Sequence, residues 1–122
     1  MKTFVIAGAA LALLGSSPVK VSLTAPTHAP RVNVHWPYAV RVTRDGRPLT
    51  ARLTVQIVDP IGGVHAVQVG ATKKDITRLR FRGIFRDYII WPASSRGIPL
   101  QLRVIIVRPG FRKVFSYPVT PR

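Results

Sequence analysis

The chain has no cysteine, no glutamate and no methionine beyond Met1. Without cysteine there is no disulfide framework, no thiolate zinc site, no thiol nucleophile and no lipid attached through an N-terminal cysteine. Acids are scarce as well: Asp45, Asp59, Asp75 and Asp87 are all there are, so paired-carboxylate catalysis lacks its residues. A long apolar run is also missing. Residues 4–14 form an apolar run of eleven, whereas a bilayer-spanning helix takes about 20. What the chain has in excess is positive charge, 14 Arg and 5 Lys giving +15 over 122 residues. Its 47% hydrophobic content separates it from disordered polycations, and its length suits one domain.

The N-terminus reads as an address. Lys2, the apolar run and the small residues Gly15, Ser16 and Ser17 have the layout of a secretory signal, so residues 1–17 are expected to form a signal helix and residues 18–122 the domain. Pro18 is an awkward residue to follow a cut after Ser17, and an uncut segment would leave a membrane-anchored protein. Either way the destination is outside the cytoplasm, secreted or in the cell envelope. Removing residues 1–17 takes Lys2 alone from the charge of +15 and leaves +14, so the basicity belongs to the domain.

From Val19 onward apolar residues recur with period two, the pattern of half-buried strands. Val19, Val21 and Leu23 form one set, Trp36, Tyr38, Val40 and Val42 the next, and Leu53, Val55 and Ile57 the most regular. Val67 and Val69 suggest a short strand. Leu79 and Phe81 alternate with Arg78, Arg80 and Arg82, and Phe85, Ile89 and Trp91 resume the parity after Gly83. Leu100 to Ile106 alternate too, but Ile105 and Val107 are also apolar, which predicts a central strand covered on both faces. Phe115, Tyr117 and Val119 end the series.

Turn signals separate the runs: Asp45-Gly46, Pro60 with Gly62-Gly63, the loop from Pro92 to Gly97, and Pro109-Gly110, which suits a tight type II turn. The segment around Pro26 and Pro30 reads as a kinked first strand or a linker. Seven to eight short strands in about a hundred residues predict an all-β fold, an antiparallel sandwich. The connections are too short for crossover helices.

The succession Trp36-Pro37-Tyr38, Asp45-Gly46-Arg47-Pro48, Gly83-Ile84-Phe85, Trp91-Pro92, Gly97-Ile98-Pro99-Leu100 and a final hairpin resembles secreted bacterial immunoglobulin-like (fibronectin-III-like) domains. Those domains carry a D-x-G-x-P turn between early strands, shortened here to D-G-x-P. The resemblance covers about residues 19–119 and implies an immunoglobulin-like β-sandwich. The layout is also similar to small exported sandwich domains associated with copper handling, which place His and Met near the strands. Here the single methionine is Met1.

Five cations, Lys73, Lys74, Arg78, Arg80 and Arg82, fall within ten positions. In an extended strand the three arginines project from one face at roughly 7 Å intervals. They are candidates for binding an anionic cell-wall polymer or a membrane surface; the competing reading is a solvated face that keeps an edge strand soluble. Nucleic acid is not an expected partner, because the aromatics share the apolar parity and offer no stacking platform. His35 and His65 are the weak alternative, a copper or zinc pair, with His28 nearby in sequence. No cofactor and no catalytic residue is assigned. Ser94-Ser95 lie in a loop without a nucleophile-elbow pattern. Trp36 and Trp91 follow core parity rather than that of exposed glycan-stacking residues. The expectation is a monomeric, non-enzymatic binding or structural module.

Overall fold

The computed structural model describes residues 17–70 and 72–122. The signal segment read over residues 1–17, with its helix, lies outside the described residues except for Ser17. Nine strands occur among the described residues: β1 Lys20–Thr24, β2 His35–Arg44, β3 Arg47–Pro48, β4 Thr50–Val58, β5 Val64–Ala66, β6 Leu79–Arg82, β7 Ile84–Ile90, β8 Leu100–Arg108 and β9 Phe111–Val119. No α-helix occurs among the described residues, only a 3-10 turn over Ala93–Ser95.

All strand pairs are antiparallel, and they form two sheets. In the first, β2 lies between β1 and β7, with the two-residue β3 continuing at its tip. In the second, the order is β5, β4, β8, β9, and β6 shares the β4 edge with β5. The inner faces meet in one core in which Val40, Val42, Leu53, Leu102, Val104 and Ile106 are completely buried. This is the all-β antiparallel sandwich that the alternation predicts. Trp36 and Trp91 are buried between the layers with ring centroids 5.5 Å apart, edge to face, which makes them core anchors.

Four local expectations are corrected. There are nine strands among the described residues, not seven or eight, partly because the Asp45-Gly46 turn closes on the extra strand β3. Asp45 and Gly46 have φ of 53° and 75°, as a type I′ hairpin demands. The short strand falls at Val64–Ala66 rather than at Val67 and Val69. Val67 is buried as the parity predicts, but its N–H donates to Val55 and its carbonyl accepts from Ile76, and the chain then runs out as an arm closed by the Gln68–Asp75 bridge. Residues 25–34 are neither a strand nor a linker. Thr120 N–H donates to His28 O, Arg122 N–H to Pro30 O and Val32 N–H to Arg122 O, binding this segment to the C-terminus over fully buried Pro30 and Pro121. Finally, β8 is central as predicted, but among the described residues no element covers its outer face: Val107 is 41% exposed.

Two of the three crossings between the sheets meet at one corner. β3 leads through Leu49 into β4, crossing from the first sheet to the second, and β6 leads through Gly83 into β7, crossing back. The crossings are bonded to each other: Gly83 N–H donates to Leu49 O and Val42 N–H donates to Gly83 O, each at 2.8 Å. Gly83 has φ of 74°, and a Cβ there would stand 2.6 Å from the Pro48 Cβ. Both the left-handed backbone and the contact require glycine. Gly110, at φ 72° in the β8–β9 turn, faces open space. Gly83→Ala should therefore cost about 3 kcal/mol in urea unfolding, from left-handed strain plus overpacking, and Gly110→Ala about 1 kcal/mol from strain alone. Equal losses would contradict a steric role for the corner.

Candidate anion-binding face

The second sheet turns one face to the core and leaves the other open. On β4, Ala51, Leu53 and Val55 are buried, so Arg52, Thr54 and Gln56 point out; on β6, Phe81 is buried and Arg80 and Arg82 point out. The same parity sends Arg103, Ile105 and Val107 of β8, and Arg112 and Val114 of β9, to the outer face. Register then assembles them. Arg80 lies opposite Arg52, Arg52 opposite Val107, and Val107 opposite Arg112. This row crosses four strands, roughly 14 Å from end to end at the usual strand spacing. Arg82 and Arg103 lie above and below it.

None of the five strands of this sheet contains an acidic residue, and among the described residues no Lys or Arg pairs with a carboxylate; the one basic side chain on an acid is His65, 2.9 Å from Asp59. Like charges directly opposite in a sheet are destabilising, so the Arg80–Arg52 pair is a standing cost unless an anion or solvent offsets it. Some guanidinium groups are held by neutral acceptors. Arg52 Nη1 donates to Arg78 O at 3.1 Å, Arg108 Nη1 to Thr50 O at 2.9 Å, and Arg103 donates from Nε and Nη2 to Gln56 Oε1 at 3.0 and 2.7 Å. These bonds orient the cations without neutralising them. A shallow groove of about 320 Å³ runs between Arg52, Arg80, Val107, Arg108 and Pro109. An anion resting there meets fixed donors on both banks.

The residues expected from sequence are only partly brought together. Arg80 and Arg82 stand on one face of β6, but Arg78 precedes the strand with φ of 50° and interrupts the regular row of three. Its N–H donates to Thr54 Oγ1 and its carbonyl accepts from Arg52, so it acts through its backbone to hold Arg52 in place. Lys73 and Lys74 are exposed near the end of the arm beyond the Gln68–Asp75 bridge, outside both sheets. Arg52, Arg103 and Arg112 complete the face and went unseen. Their outward parity was readable; their register with β6 was not.

Protein-family models, curated proteins and solved structures show no match to this chain. Its chemistry therefore has to be read from its own geometry.

His35 and His65 belong to different sheets, the first and the second. His35 stacks on Tyr88 with centroids 3.9 Å apart. His28 donates from Nδ1 to Pro118 O at 2.6 Å and stacks on Tyr117. No group of three metal-ligating side chains occurs among the described residues. His65 instead locks a loop at one end of the sandwich: its Nε2–H donates to Asp59 Oδ2, and Asp59 Oδ1 accepts from Gly63 N–H at 2.7 Å and Ile61 N–H at 3.0 Å. The loop borders a largely apolar cleft of about 600 Å³ with Trp91, Ile98 and Leu100. Ser95 faces it too, but its Oγ donates to Pro92 O at 2.6 Å, which uses its proton in the 3-10 turn.

The His65 hydrogen bond, helped by the Gly63 and Ile61 amides, holds the Asp59 carboxyl below the ordinary carboxylate range. The unfolded chain then binds that proton more readily than the folded one. The stability from Asp59 is complete above the unfolded value of about 4 and is lost as pH falls through the lower folded value. Asp59→Asn should lower the urea midpoint at neutral pH and flatten the acid limb of stability against pH. An unchanged acid limb would show that Asp59 does not govern it.

Proposed function

We propose that this chain is an exported, non-enzymatic, immunoglobulin-like module of the cell envelope that binds a polyanionic surface through the outer face of its second sheet. The observation that carries the reading is that five arginines, Arg52, Arg80, Arg82, Arg103 and Arg112, share this face with no acid on any of its strands. Export is supported by the layout of residues 1–17; cell fractionation tests it, recovery in the cytoplasm being the outcome that export excludes, and the intact mass shows whether the segment is cut. The immunoglobulin-like reading is supported by the pairing, in which β1, β2 and β7 face a sheet built on β4, β8 and β9, the arrangement of strands A, B and E against a C–F–G sheet.

An arginine close to an anionic surface contributes about 1 kcal/mol, and salt screens it. Arg80, Arg82 and Arg112 are exposed and their side chains make no hydrogen bond among the described residues, so they can be replaced without disturbing the sandwich. Arg80→Gln, Arg82→Gln and Arg112→Gln together should weaken retention on an immobilised anionic cell-wall polymer about a hundredfold at low salt. The matched control is Lys20→Gln, Arg41→Gln and Arg86→Gln on the first sheet, which removes the same charge from another face. The face variant should elute at lower salt than this control. Coincident elution would mean that total charge alone is responsible, and the reading would fall.

A further inference from the structure

We infer that the anion this face meets is the headgroup layer of an anionic lipid bilayer, an inference that rests on the anion-binding reading above. The cations surround an apolar centre. Val107 and Val114 are 41% and 40% exposed, and Ile105 lies half-buried between them, two residues from Val107 along β8 and directly opposite Val114 on β9. Arg52 and Arg112 flank Val107 across the sheet, and Arg103 stands next beyond Ile105 on β8.

A soluble polyphosphate would use the guanidinium groups and leave these methyl groups in water. A bilayer uses both. Its phosphates take the arginines, while the boundary between headgroups and acyl chains takes the valines, whose burial there is favourable in proportion to their apolar area. Arginine suits this arrangement because its aliphatic stem can lie along apolar surface while the fork stays among phosphates. The shape fits as well: the outer face of a five-stranded sheet is broad and open, unlike a cleft made for one small ligand. Of the other exposed apolar residues, Val64 is on this sheet but at its β5 edge, opposite Val58 and away from the arginine row, while Val34 precedes β2 and Ile90 ends β7, outside this sheet. Ile61 is 94% exposed and Ile98 37%, but they border the cleft that holds the Asp59 carboxylate, which an anionic membrane would repel.

Co-sedimentation with phosphatidylcholine vesicles, with and without phosphatidylglycerol, tests the inference when run beside retention on immobilised polyphosphate. Val107→Thr with Val114→Thr keeps the branched shape that suits a strand and replaces one methyl of each valine at the centre of the face by a hydroxyl. This pair should lower partition onto phosphatidylglycerol vesicles about tenfold and leave polyphosphate retention unchanged. Val107→Leu with Val114→Leu should raise partition by a similar factor. If wild type and both valine variants partition equally while the arginine variant still loses both ligands, the bilayer is overturned and a soluble polyanion stands. If the arginine variant changes neither, the anion-binding reading fails, and this inference with it.

Discussion

The crossing at Gly83 is the constraint on which the arrangement depends. Its N–H and C=O bond to Leu49 and Val42, so a single residue ties the run leaving the second sheet to the run entering it. The odd-numbered parity survives the corner. Phe81 on β6 and Phe85 on β7 both turn inward from different sheets, with ring centroids 6.3 Å apart. Because the corner fixes where β6 ends, it also fixes the register that sets Arg80 against Arg52 and Arg82 against Thr50. The charge pattern of the face thus follows from a steric requirement some distance from its centre.

The second determinant is how the few acids are used. Asp45 occupies the tight turn between β2 and β3, and Asp59 binds His65 and two loop amides. Asp75 stands in the bridge with Gln68, and Asp87 accepts from Gly70 N–H at 3.0 Å. All four serve local geometry away from the outer face of the second sheet. The arginines there are left to solvent, neutral acceptors and whatever anion approaches. The same excess guards the free edge at β9, where Lys113 shares the inward parity of Phe111 and Phe115, with Nζ 5.7 Å from the Phe115 ring, and Pro118 removes a donor.

Much of this fold was legible from residues alone, for a physical reason. Strand parity is a local property, and Leu53-Val55-Ile57 or Trp36-Tyr38-Val40-Val42 reveal their buried face without reference to any partner. Turns such as Asp45-Gly46 and Pro109-Gly110 are equally local, since their backbone angles dictate their residues. Register and crossing points are not local. Nothing in the order of residues says that Arg80 faces Arg52 or that Arg112 closes the row, and the apolar Ile105 and Val107 looked like the mark of a strand covered on both sides. Arg78 misled for a related reason, because its parity continues that of Arg80 and Arg82 while its left-handed backbone takes it out of the strand.

The central claim is that one face of one sheet, rather than total charge, receives the anion. Amide chemical-shift mapping during titration with phosphatidylglycerol-containing bicelles tests it residue by residue. The largest shifts are expected at Arg52, Arg80, Arg82, Val107, Arg112 and Val114, with Lys20, Arg41 and Arg86 on the first sheet little changed. Shifts spread evenly over all exposed cations, or centred on the cleft beside Asp59 and Trp91, would contradict the account.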